Sequence, residues 1–368
     1  MGPLSSVVDR AVNQTALPGR LPASPAATEL LRRAPVVDLL AGSALFRDSF
    51  VQGGRGHVDL PRLRRAGVNL VGLTVATRWP NLRGTLSGWH FRSLGMPAAA
   101  TRSDMAMAEW LIGRINRWCH ESGGGLVIVR SRADLERCLA PGGPVGIVLG
   151  IQGGHVLERE LANIARLGAA GVRMFAPAHV MDNALVGSGT GRHASGLTDF
   201  GRETLSELEA QSIMVDLAHM SRSGIEAALP LLGRPFVLSH AGLTDIAGRR
   251  SRWRRFSPAT RNVPASLVAQ IGAAGGLVGI CLSTQLLGGA TMAAAVRTFR
   301  GAIDAAGTGH VAIGSDMDGA LKMLIDVEGL PALTDALLAS GLDSLTVGGV
   351  MGVNAVRFLA QSLPVEAA

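Results

Sequence analysis

The chain contains no tyrosine, and a single lysine, Lys322, stands among its 35 basic residues, leaving 34 arginines. A net charge of +7 ordinarily points towards nucleic acid. Arginine in place of lysine throughout, with 48 glycines and abundant alanine, reads instead as a bias of the coding sequence, so the basic count selects no partner. Cysteine is scarce too. Cys119, Cys138 and Cys281 are far apart, odd in number and form no CxxC pair, which speaks for a reducing, cytoplasmic compartment. Cys281 lies in an apolar run and reads as a buried thiol. No stretch reaches the roughly 18–20 uninterrupted apolar residues that a bilayer demands, so no membrane contact is expected. The first 33 residues lack the basic–apolar–small order of a secretory signal, and with Pro18, Pro22 and Pro25 they read as a loosely ordered leader.

What is present is a globular composition, 47% hydrophobic and 17% charged over 368 residues, which excludes a disordered chain. Short apolar runs recur at 35–40, 68–75, 145–151, 172–178, 213–218, 236–238, 277–282 and 311–313. Each is near-continuous rather than alternating, as strands of a parallel sheet buried on both faces should be. Amphipathic stretches at 104–120, 157–167, 202–210, 265–273 and 292–305 lie between them. Strand–helix alternation eight times over predicts a (β/α)8 TIM barrel, a single domain over residues 34–368 with C-terminal helices. A doubly wound open sheet is the alternative, but no run is followed by GxGxxG or a P-loop.

The ends of the runs carry the chemistry. The third ends in Gln152-Gly153-Gly154-His155, the fourth in His179, and the fifth in Asp216-Leu217-Ala218-His219. The sixth ends in Ser239-His240 and the eighth in Gly314-Ser315-Asp316-Met317-Asp318-Gly319. In a barrel all strand C-termini open onto one mouth, so these side chains converge there. A lone histidine is usually structural; three histidines and an aspartate at strand ends read as a site.

These segments, with His57–Val68, Gly196–Arg202, Arg261–Pro264 and Gly329–Pro331, fall in the order of a known family. From Pro35 to Leu359 the chain resembles the renal (membrane) dipeptidases, amidohydrolase-like barrels that hydrolyse dipeptides with two zinc ions. The resemblance implies metal ligation by His219 and His240 at the second site. It also implies substrate contacts from His179, a carboxylate clamp at Arg261 and proton handling by Asp316. Three positions depart. The first site's histidine and aspartate fall at Leu40 and Gly42, and the bridging glutamate falls at Gln152. His57-Val58-Asp59 offers an HxD, but in a different segment, and reads as structural.

Two zinc ions need shared anionic charge and about four donors each, with a position left open for water or substrate. That set is not met here, so no binuclear centre is expected, and the cofactor expectation is none or at most one zinc, on His219, His240 and Gln152. Three readings follow. The first is an enzyme using His179, His219, His240 and Asp316 as acid–base groups, with Arg261 holding a carboxylate and Gln152 assisting binding. It would act on an amino-acid- or peptide-like molecule by isomerisation, elimination, cyclisation or addition, as a tailoring step in a specialised pathway. The second is a mononuclear zinc dipeptidase or amide hydrolase. The third is a non-catalytic binding or partner subunit. A homodimer is compatible with all three.

Between His240 and Arg261, Gly248–Phe256 carries five arginines and two aromatics in nine residues. It reads either as a solvated basic loop or as a lid in which Arg252 and Arg254 meet a further anionic group on the substrate. Nucleic acid is not expected, since no binding module accompanies the patch.

Overall fold

The runs become strands because their residues leave no polar face to present to water. The computed structural model describes residues 3–366 apart from 43–46, 48, 55, 82–83, 87 and 249–256. The barrel strands are β1 (Val37–Ala41), β2 (Leu70–Ala76), β3 (Val145–Gln152), β4 (Val172–Ala176), β5 (Met214–Val215), β6 (Val237–Ala241), β7 (Leu277–Ile280) and β8 (Val311–Ile313). Every residue of these strands is buried, as a sheet covered on both faces requires. All neighbours pair in parallel in chain order, and β8 returns to β1 through Asp38 opposite Ile313. The ring closes between β5 and β6 by one isolated bridge, Asp216 opposite Val237, with the Leu217 N–H donating to the Val237 carbonyl at 2.7 Å. A further short strand, Leu126–Ile128, pairs with the start of β3 outside the ring. The expected (β/α)8 barrel is therefore the fold.

Helices begin where the chain supplies a cap. Ser103, Thr198 and Thr291 each accept a backbone N–H at the head of Asp104–Glu121, Asp199–Ala210 and Met292–Ala306. One expected helix is displaced. Residues 154–157 form a 3-10 turn, the chain passes through left-handed conformations at Glu158 (φ 51°) and Arg159 (φ 64°), and the α-helix covers only Ala162–Ala169. Left-handed backbone cannot continue a right-handed helix.

The leader is more structured than its prolines suggest. Pro25–Arg33 is a helix whose first turn is set by Ser24, which accepts from the Ala27 N–H, and by Pro25 at its first position. Pro3–Val12 is helical as well. Between them the Ala16 and Leu17 N–H groups donate to the Met323 and Leu324 carbonyls, and Met323 returns a bond to Gln14. The leader is thus tied to the loop that follows β8. No described helix is long and apolar enough to cross a membrane.

Candidate active site at the barrel mouth

Five strand ends deliver one cluster. Gln152 is the last residue of β3, His240 lies within β6, and His179, His219 and Asp316 follow β4, β5 and β8 by a few residues. Arg261 ends the short helix Pro258–Arg261. Gln152, His179, His219, Arg261 and Asp316, together with Thr74, Trp79 and Leu86, line a cavity of about 270 Å³, and His240 is buried behind them. The imidazoles stand edge to face in a row, His179 to His219 at 4.7 Å between ring centres and His219 to His240 at 4.9 Å. His219 Nε2 is 3.0 Å from His240 Nε2, and the Gln152 amide nitrogen approaches the same His240 atom at 3.3 Å. Arg261 donates to the His240 carbonyl at 2.7 Å and lies 3.4 Å from His219 Nε2. Backbone strain marks the site, since His219 and Asp316 hold φ of 65° and 62°, a region that costs a non-glycine residue about 1–2 kcal/mol.

Two of these residues are held by the same device. Asp216 accepts from the Ala218 N–H at 3.0 Å, the Ser239 N–H at 2.8 Å and the Ser239 hydroxyl at 2.5 Å. Asp38 accepts from the Leu40 N–H at 3.3 Å, the Ser315 N–H at 2.8 Å and the Ser315 hydroxyl. Each serine immediately precedes a mouth residue, His240 in one case and Asp316 in the other. Each aspartate spans one strand junction, β5–β6 or β1–β8. Through these contacts Asp216 ties the end of its strand to β6. Sequence reasoning gave Asp38, Ser239 and Ser315 no role, because each aspartate lies 23 or 277 residues from its serine.

Burial sets the protonation. It holds His219 and His240 well below the ordinary imidazole value, with the Arg261 charge adding to the effect, and brings His179 down to about 4. All three are neutral at pH 7. Burial raises Asp316 to about 7 against the opposing pull of Arg261. Its neighbour is the Cys281 thiol, 4.0 Å from Oδ2 and itself raised by burial. Asp38 is raised to about 6, also by burial, with the Ser315 bonds opposing.

The remaining sequence candidates separate cleanly. Gly42 lies against the loop after β8, its N–H donating to the Met317 carbonyl, and a Cβ there would overlap the Asp318 backbone. Leu40 is buried. His57 is fully bonded, its Nε2 to the Gln14 carbonyl at 3.0 Å and its Nδ1 accepting from the Asp318 N–H at 3.0 Å. Asp59 caps the helix Leu60–Arg65, so the HxD segment serves structure. Asp318 forms a buried ion pair with Arg47. Lys322 is exposed. The glycine-rich loop 187–191, beside the cavity at Thr190, is pinned in place. Ser188 donates to the His179 carbonyl at 2.5 Å, and its N–H and that of His193 bond to the Asp182 carboxylate. Arg252 and Arg254 lie outside the described residues. Trp79 and Leu86, which wall the cavity, carried no sequence signal beyond being apolar.

Fold and mouth together define an amidohydrolase-like (β/α)8 barrel with its polar side chains at the strand C-termini. The chain belongs to the membrane dipeptidase family (peptidase family M19), whose model matches residues 25–367. Among curated proteins it is 27% identical over 328 residues to dipeptidase 3 of Mus musculus, covering 83% of this chain and 63% of that protein. A metallopeptidase from Rhodobacter sphaeroides, solved with a phosphinate mimic of the dipeptide L-Ala-D-Ala, superposes with a TM-score of 0.74 at 22% identity, over 89% of this chain and 99% of that one. An amidohydrolase from Pseudomonas aeruginosa gives 0.70 at 21% identity, over 91% and 98%. At these identities the structures speak for the fold.

Proposed function

We propose that the chain is a dipeptidase-family enzyme that acts on a small peptide-like carboxylate by acid–base chemistry, without a binuclear zinc centre. The observation that carries this reading is the donor set. The positions of the first site are a buried leucine and a glycine pressed on the Asp318 backbone, leaving no room for a ligating side chain. Gln152, in place of the bridging carboxylate, directs its amide N–H at His240, and its carbonyl accepts from Thr74 at 3.4 Å. Nothing there supplies the shared negative charge that two zinc ions require. Among the described residues, no three His, Cys, Asp or Glu side chains form a metal-holding group.

In this reading Arg261, half-buried and lining the cavity, receives the substrate carboxylate through its planar fork. The peptide-like class is supported by the family and by the dipeptide mimic bound to the Rhodobacter sphaeroides relative. Asp316, with a pKa of about 7, gives or takes the proton near neutrality, while neutral His179, His219 and His240 accept and orient. Isomerisation, elimination, cyclisation or addition on such a molecule suits a tailoring step in a biosynthetic pathway.

One observation favours a second reading. Two imidazole nitrogens 3.0 Å apart are close to the spacing, about 3.3 Å, that two ligands of one tetrahedral zinc adopt. His219, His240 and Gln152 would hold a single ion, which would supply Lewis-acid activation of water for amide hydrolysis. Metal content of the purified protein separates the two. Substoichiometric zinc, with turnover indifferent to chelators and abolished by Asp316→Asn, supports acid–base chemistry; one tightly held equivalent with chelator-sensitive dipeptide cleavage supports the second reading. Two equivalents would overturn both.

A further inference from the structure

We propose that Asp216 and Ser239 are positioning residues that hold His240 in the tautomer carrying its proton on Nδ1, so that its Nε2 lone pair is turned towards His219 and Gln152 at the cavity wall. The inference deepens the acid–base reading and rests on it for its catalytic meaning, while its test is independent of turnover.

Ser239 Oγ lies 2.5 Å from Asp216 Oδ2 and 2.7 Å from His240 Nδ1. A hydroxyl has one proton to give. Asp216 already receives two backbone N–H groups on its other oxygen, so every partner of the carboxylate is a donor and the serine proton is committed to it. Only lone pairs of Ser239 then face the imidazole, and the hydrogen on that contact must come from His240 Nδ1. The second copy of the device shows the same polarity. Ser315 gives its proton to Asp38, and its oxygen accepts the Met317 N–H at 3.0 Å, the place that the imidazole takes at Ser239.

The assignment propagates along the row. With its proton on Nδ1, neutral His240 presents Nε2 as an acceptor, which suits the Gln152 amide N–H at 3.3 Å. His219 Nε2, 3.0 Å away, then carries the hydrogen between the two rings, and the Arg261 nitrogen 3.4 Å from that atom gives its proton to the His240 carbonyl instead. That leaves His219 Nδ1 bare, and this buried atom is indeed one that finds no hydrogen-bond partner within the protein. One carboxylate below the mouth thus sets the donor and acceptor order of two rings above it.

The test is nitrogen NMR of the full chain carrying 15N-labelled histidine, at pH 7.5, where the rings are neutral. His240 is identified by the signals lost in His240→Gln. The expected result is the Nδ1–H tautomer for His240 in the wild type, its retention in Ser239→Thr, and a shift towards the Nε2–H form in Ser239→Ala. An Nε2–H tautomer in the wild type overturns the proposal, as does a Ser239→Ala spectrum unchanged at His240. If Ser239→Ala does not fold, the wild-type tautomer decides alone. Failure to find turnover on any substrate would sink the acid–base reading and leave this result standing.

Discussion

A buried carboxyl group that faces a cavity rather than a fixed donor keeps its proton to a higher pH than it does in water. Asp316 is such a group, raised from 3.8 to about 7. The folded chain therefore holds a proton that the unfolded chain releases, and the resulting stability is present at low pH and lost as pH rises through about 7. Asp316→Asn has no such dependence. Relative to wild type, the variant should gain about 2 kcal/mol between pH 5.5 and pH 8.5, read as a difference in urea midpoints. An equal gap at both pH values would contradict the raised pKa. Gly42 poses a different constraint. Returning a carboxylate there, as Gly42→Asp, should cost about 1–3 kcal/mol and recruit no zinc, because the side chain would have to displace the Asp318 backbone. Calorimetry with and without zinc checks both parts. The same glycine is invisible to a composition argument, since sequence alone shows a missing ligand but not that the space has closed.

At the level of elements, the two aspartate–serine pairs do the work of extra ladder bonds at strand junctions. Ser315→Ala removes a charge-assisted bond to buried Asp38 and should cost about 1–3 kcal/mol. Asp38→Ala should cost more, since two backbone N–H groups lose their acceptor with it. Chemical denaturation of the two variants orders them. The strands were legible in the sequence because a parallel sheet covered on both faces must be written in unbroken apolar runs, and all eight runs became strands. The mouth residues at 152, 179, 219, 240 and 316 were legible because strand ends share one rim. The pairs beneath them were not, because an aspartate that bonds to a serine 23 residues on in one case and 277 in the other leaves no local period. The leader misled for a related reason. Its prolines argue against regular structure, yet Pro25 is a helix start once Ser24 caps it, and residues 14–17 find their partners some 300 residues away.

For the whole molecule, pH acts from both sides. The three mouth histidines are held below their ordinary value, so the unfolded chain binds protons that the folded chain refuses, and stability should fall as pH drops below about 6.5. Denaturation midpoints between pH 7 and 5 should decline, less steeply in His179→Gln. The ring itself is not uniform. Six junctions pair over two or more registered positions, β1 and β8 pair at Asp38 and Ile313 alone, and β5 and β6 are joined by an isolated bridge beside a strand of two residues. Hydrogen exchange should find residues 214–218 opening faster than β2 and β3, which pair over seven registered positions. Uniform protection around the ring would contradict this.

That seam has an orientation as well as a weakness. Asp216 bridges to Val237 at the seam and also grips Ser239, so an opening of the barrel there would part His219 from His240. The least-paired stretch of the barrel thus runs between the two rings whose Nε2 atoms touch at 3.0 Å, so the ladder that holds the sheet together is also what keeps the two imidazoles in contact.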